Sequence, residues 1–186
     1  MRSQPTRVVL ALSLALVLSS SLTSAQVELG ARLNKTIELL DNDLAALGLL
    51  AFDYSLNNAR SLARSDLDFV IIDMEHAPFD VERLREFLLG MTDKRTILDK
   101  GNLQPSVTPI VRIPATGGTE VITQVKQVLD VGVFGVMFPS VDNREQAEIA
   151  IKAMRYPQLG NAEDFEPRGL RGRNPANASW YWGISD

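Results

Sequence analysis

The chain has 186 residues, of which 45% are apolar, 23% charged and 6% aromatic, the profile of a globular protein with one sizeable core. Its 19 Lys and Arg against 23 Asp and Glu leave a net charge of −4, and a pI near 5.1 gives no electrostatic footprint for nucleic acid or an anionic membrane. With no cysteine, disulfide frameworks, thiolate metal sites and thiol nucleophiles are excluded, and the single histidine, His76, excludes a multi-histidine metal centre within one chain.

Arg2 and Arg7 precede an apolar run from Val8 to Leu18, followed by small polar residues and Thr23-Ser24-Ala25. The run is too short for the roughly 20 residues of a membrane span and has the length of a secretory signal core. Residues 1–25 therefore read as a signal peptide cleaved before Gln26, and residues 26–186 as the mature domain, soluble, exported to the periplasm or beyond, and without a membrane span. The alternative is an uncleaved, membrane-associated N-terminus.

Beyond it, a first helical segment carries Leu29, Leu33, Ile37 and Leu40 on one face. Short apolar runs then alternate with segments of helical period, the pattern of βαβ units and a parallel sheet. Strand one is expected near Leu47–Phe52, with a helix burying Leu56, Ala59, Leu62 and Ala63. Strand two runs from Phe69 to Met74, and its helix starts at an Asp80 cap with Val81, Leu84, Phe87, Leu88 and Met91 on one stripe. A polar stretch from Thr92 to Ser106 leads to strand three, Pro109–Ile113. The third helix turns Val121, Ile122, Val125, Val128 and Leu129 inward, and strand four spans about Val133–Phe138. A fourth helix opens on Asp142 and Glu145, a capping-box-like pair, and buries Ala147, Ala150, Ile151 and Met154. From Tyr156 onward periodicity gives way to Pro and Gly and then to Trp180-Tyr181-Trp182. Four βα units make half of an eight-stranded barrel, whose usual length is about 250 residues, or a small open sheet. The half-barrel would leave strands one and four as open edges, with Ile71, Val111 and Met137 or their neighbours facing inward and no opposing half to meet.

In parallel α/β folds reactive groups gather at the carboxyl ends of strands. Strand two ends in Asp73-Met74-Glu75-His76-Ala77-Pro78, where the period of two turns Asp73 and Glu75 to one side and His76 begins the loop. The competing reading is a pair of helix-capping acids beside a surface histidine. Arg112, a cation in an apolar strand, wants a carboxylate partner, supplied either by Asp73 or Glu75 or by a ligand. Gly117-Gly118 is placed to accept an anion at a helix start but is more simply a turn. Arg168, Arg171 and Arg173 read as a solvated basic loop, and Trp180-Tyr181-Trp182 as buried cover or an oligomer contact. Asn34-Lys35-Thr36 and Asn177-Ala178-Ser179 match the glycosylation sequon.

Four pieces in register, Phe69-Val70-Ile71-Ile72-Asp73-Met74-Glu75-His76-Ala77-Pro78, Val111-Arg112, Lys126-Gln127-Val128-Leu129-Asp130-Val131-Gly132 and Arg155-Tyr156-Pro157, resemble the HpcH/HpaI aldolase/citrate lyase family, close to its class II pyruvate aldolases. The resemblance covers about residues 30 to 173. It implies an α/β fold of the TIM (β/α)8 barrel type, of which this chain holds the first four units, and assembly into homo-oligomers. It also implies a divalent metal, Mg²⁺ or Mn²⁺, and reversible aldol cleavage of a small 2-oxo acid to pyruvate and an aldehyde. Carried over, His76 matches the general base, Arg112 the arginine that binds substrate and steadies the enolate, and Asp130 the acid that supports the histidine in the oligomer. Asp73 and Glu75 match groups near the metal water. The family's metal ligands, a glutamate and an aspartate on later strands, have no counterpart in this chain. The expectation is therefore a truncated or partial aldolase-like chain, inactive by itself; the competing expectation is a non-catalytic exported half-barrel that binds a small carboxylate or only self-associates.

Overall fold

The computed structural model describes residues 32–115, 120–172 and 176–185. The proposed signal segment and Gly117-Gly118 lie outside these residues.

Helix α1 (Lys35–Asp41) precedes four βα-type units: β1 (Gly48–Ala51) and α2 (Leu56–Ala63); β2 (Phe69–Asp73) with α3 (Val81–Gly90) and α4 (Lys94–Lys100); β3 (Thr108–Arg112) and α5 (Glu120–Asp130); β4 (Gly135–Met137) and α6 (Arg144–Met154). Helix α7 (Ala176–Trp182) follows. The four strands form one parallel sheet in the order β1-β2-β3-β4, so every crossover joins nearest neighbours, as in a barrel wall.

Local chemistry sets most of the helix starts. The side chains of Ser55, Asp80, Asp93 and Asn143 each accept a backbone N–H from the first turn that follows. At α6 the cap is Asn143, one residue later than the expected Asp142. The reciprocal bond comes from Gln146, whose Oε1 accepts the Asp142 N–H at 2.7 Å. The polar stretch expected between Thr92 and Ser106 contains α4, bounded by the Asp93 cap and a left-handed Gly101. It carries no buried residue, so no apolar stripe announced it.

One face of the sheet packs on the helices. Val70, Ile72 and Met74 of the β2 segment and Val111 and Ile113 of the β3 segment are fully buried, in one core with Leu84, Phe87 and Leu88 of α3 and Val125 and Val128 of α5. Val111, expected to face inward across a barrel, is thus on the helix side, because register pairs it with Ile72. The other face carries Leu50, Ile71 and Ile110 in one row and Asp73, Arg112 and Met137 in the next. Leu50 and Met137 are 41% and 38% exposed there.

Helix α1 closes the amino end of the sheet. Asn34 Nδ2 donates to the Phe134 carbonyl at 3.0 Å, Lys35 pairs with Asp68 at 2.7 Å, and the Thr36 N–H donates to Thr108 Oγ1 at 3.3 Å. These polar contacts seat the helix, and its expected apolar stripe is not buried: Ile37 and Leu40 stand exposed. The aromatic cluster, one of whose two expected roles is buried cover, lies on helix α7 and supplies a second cover through two of its three side chains. Gly132, at φ +109°, leaves space that a Cβ would lose to Tyr181 Cδ1 at 2.6 Å, and Trp182 Nε1 donates to the Gly132 carbonyl at 2.7 Å. Tyr181 and Trp182 therefore cover the turn before β4, while Trp180 points outward, 72% exposed. No helix among the described residues is long and apolar enough to cross a membrane.

Candidate active site

Parallel register places Asp73 of β2 directly beside Arg112 of β3, at the carboxyl ends of both strands. Their side chains share a face of the sheet, and they form a two-point pair: Arg112 Nε donates to Asp73 Oδ1 at 3.0 Å and Nη2 to Oδ2 at 2.7 Å. Asp73 is fully buried. Its Oδ1 also accepts the backbone N–H groups of Glu75 at 2.9 Å and His76 at 3.4 Å, folding the loop back onto the strand end. The Arg112 carbonyl accepts the Met74 N–H at 2.9 Å, which extends the ladder one residue past β2. Tyr54, from the loop after β1, donates its hydroxyl to the Asp73 carbonyl.

The expected alternation of Asp73 and Glu75 holds. Glu75 Oε2 lies 3.1 Å from Arg112 Nη1 and 3.6 Å from His76 Nε2. The arginine's partner is thus the protein itself, with both candidate carboxylates engaged. His76 opens the loop with its side chain 67% exposed, and the next two residues, Ala77 and Pro78, line a cleft of about 520 Å³ together with Phe52, Tyr54, Asp80 and Arg83. A smaller cavity, about 60 Å³ between α4 and α7, lies at the opposite end of the sheet.

The bond to the Arg112 guanidinium holds the Asp73 carboxyl below its usual range, outweighing the opposing effect of burial, and the Glu75 and His76 amides act in the same direction. Arg112 is correspondingly raised by its bond to Asp73. Burial, reinforced by the charges of Asp73 and Asp80, pushes the Tyr54 hydroxyl up to about 12, so it acts as a hydrogen-bond donor.

Asp130 is not brought to His76 within one chain. It ends α5, at the end of the sheet where β4 begins, and its Oδ1 accepts from Arg171 Nη2 at 3.1 Å. Arg171 is buried and lies over the Tyr156 ring, 4.5 Å from its centroid. That corrects the reading of the basic loop as wholly solvated: Arg168 is exposed, Arg171 is a buried latch, and Arg173 lies outside the described residues. The residue missed by sequence reasoning is Tyr54. Its position directly after a strand was the available clue.

A model of the HpcH/HpaI aldolase/citrate lyase family matches residues 53–166, and the chain belongs to that family. It is 29% identical over 126 residues to a hydroxypyruvate/pyruvate aldolase of Rhizorhabdus wittichii, covering 68% of this chain and 41% of that protein. It is 32% identical over 122 residues to a 2-dehydro-3,6-dideoxy-6-sulfogluconate aldolase of Pseudomonas putida, covering 66% and 42% respectively. The chain thus spans about two-fifths of the length of these curated relatives. A solved HpcH/HpaI family protein from Burkholderia cenocepacia superposes with a TM-score of 0.60 at 28% identity, over 79% of this chain and 52% of that one. The fold is accordingly that of the family's TIM barrel over about half its length.

The divalent metal implied by the family finds no fit here. Among the described residues no group of three or more His, Asp or Glu is arranged to hold an ion, and both strand-end carboxylates are committed to Arg112.

The depressed Asp73 pKa has a consequence for acid stability. An unfolded aspartate titrates near pH 4, about 3.9, and the folded one lower. The pair's contribution is therefore complete above about pH 4 and is lost as pH falls through the folded value. Urea melts at pH 7 and pH 3 are expected to show this loss in the native chain. Asp73→Asn should be less stable at pH 7, with a shallower decline into acid; a parallel decline in both would refute the assignment.

Proposed function

We propose that the described residues form the substrate-binding and general-base part of a carbon–carbon lyase site of the HpcH/HpaI type, for reversible aldol cleavage of a small 2-oxo acid, with the metal ligands of that site not among them. The observation that carries this reading is the placement of a guanidinium and the chain's one imidazole at adjoining strand ends, joined through a single carboxylate oxygen. Arg112 receives the 2-oxo acid's carboxylate and faces the negative charge that develops on the enolate oxygen. His76 takes the proton of the 4-hydroxyl. The C3–C4 bond then breaks, its electron pair passing into the enolate as the aldehyde carbonyl forms, and protonation at C3 completes pyruvate. The aldolase names of the relatives support the reaction class. The metal dependence belongs to this proposal as a family property. Its ligands are not among the described residues, and no step above passes through the ion.

The apolar run before Ala25 supports export as the protein's destination.

Pyruvate should bind this chain in the millimolar range, as seen by saturation-transfer NMR. Arg112→Lys, which keeps the charge and loses the two-point geometry, should weaken binding about tenfold. With Mg²⁺ or Mn²⁺, a 4-hydroxy-2-oxo acid should yield no pyruvate above background from this chain. Binding indifferent to Arg112 would overturn the site, and metal-dependent turnover abolished by a chelator would overturn the account of the ligands.

A second reading, self-association, is favoured by the half-exposed Leu50 and Met137 on the sheet face away from the helices. Light scattering of the purified chain should show dimers or larger species. A monodisperse monomer at high micromolar concentration would contradict it.

A further inference from the structure

The carboxylates beside Arg112 are held in unequal ways. Asp73 is fully buried and tied at four points: two guanidinium nitrogens and the amides of Glu75 and His76. Withdrawing it would strip the arginine of its two-point partner and release the loop. Glu75 has a single close partner among the described residues, Arg112 Nη1 at 3.1 Å. Its side chain is 16% exposed, at the edge of the solvent-facing loop.

The consequence for any carboxylate ligand is steric and electrostatic. Nε and Nη2 donate to Asp73, so the guanidinium nitrogen open to competition is Nη1, which has no hydrogen-bonded partner among the described residues and against which Glu75 lies as an ion pair at 3.1 Å. A third carboxylate entering beside two others and one cation meets net repulsion unless one of them leaves. Glu75 has somewhere to go: His76 Nε2 already lies 3.6 Å from the same oxygen, and the imidazole is exposed and free to turn.

Resting on the reading of Arg112 as a carboxylate site, we propose that Glu75 is an exchangeable carboxylate. The ligand's carboxylate replaces it on Arg112 Nη1, and the displaced Glu75 turns to accept a hydrogen bond from His76 Nε2–H. Occupancy of the arginine is thereby transmitted to the base. A carboxylate hydrogen-bonded at Nε2, closer than the 3.6 Å at which Glu75 stands without ligand, fixes the tautomer that leaves the lone pair on Nδ1 and favours the charged imidazolium, strengthening His76 as a base when ligand is present. Glu75 is then a positioning residue, acting through His76 and through its departure from Arg112. The other charged groups around the cleft, Asp53, Asp80 and Arg83, are unchanged by the exchange; Asp80 remains committed to the α3 cap, and Asp53 to Ser55.

His76 is the only histidine, so its ring resonances report on the exchange without ambiguity. The experiment is an NMR titration of ¹⁵N-labelled chain with and without saturating pyruvate, for the native sequence, Glu75→Gln and Glu75→Ala. In the native chain pyruvate should raise the His76 midpoint by about half a unit or more and shift its tautomer toward Nε2–H. In Glu75→Gln the midpoint should not respond. Glu75→Ala, freed of the competitor, should bind pyruvate about threefold or more tightly. The Glu75→Gln amide spectrum shows whether the loop bonds to Asp73 persist, so a folding defect is recognised as such in the isosteric variant. Pyruvate binding of equal strength in all three chains, with an unmoved His76 midpoint, would overturn the exchange and leave the carboxylate site intact. An absence of binding in all three would overturn the carboxylate site itself and the exchange with it.

Discussion

Asp73 and Arg112 meet because parallel register sets them side by side on adjacent strands, both on the sheet face that the helices do not cover. An ion pair so placed has few alternatives. Asp73 is sealed from water, and a buried carboxylate without its partner is far more costly than the pair. Everything at this end of the sheet is arranged around it. Its Oδ1 collects the next two amides of the loop, its carbonyl receives Tyr54 from the neighbouring loop, and the arginine's remaining edge gathers Glu75. This chain of bonds fixes the backbone of the loop that bears His76 and runs on to Ala77 and Pro78 in the cleft wall, although the imidazole itself is mostly solvent-exposed.

The two ends of the sheet are built differently. The carboxyl end carries charge, short loops and an open cleft. The amino end is covered by α1 and by the aromatic residues of α7, with Arg171 latching the segment after α6 to Asp130 at the end of α5. That separation matches the division in barrel enzymes between a reactive face and a stabilising one. It also explains why Asp130, whatever it does in an assembly, is a structural partner within the single chain.

Much of this was legible in the sequence, and the exceptions have physical causes. β2, α3 and α5 announce themselves through apolar period, α3 also through its Asp80 cap, and the placing of Asp73 and Glu75 on one side follows from the period of two at a strand end. Strand three misled on sidedness because Pro109, Ile110, Val111 and Ile113 are apolar on both faces, so only the partner of Arg112 reveals which side Val111 takes. Helix α4 was hidden because it buries nothing, and α7 because its seven residues are too few to display a period. The choice between a protein partner and a ligand for Arg112 depended on register, which no single strand encodes. Family membership was readable from the four motifs, and it accounts for the fold; the substrate's aldehyde half is not written in these residues.

The central claim is that the Asp73–Arg112 pair organises the strand ends and, through them, His76. A double-mutant cycle on stability, using Asp73→Asn, Arg112→Met and the combined variant at pH 7, tests it most directly. The account predicts that each single change is strongly destabilising, while the double variant loses far less than the sum, because neither partner is left charged and alone. Additive losses would contradict it: the two side chains would then be independent neighbours, and the geometry of the loop bearing His76 would need another cause.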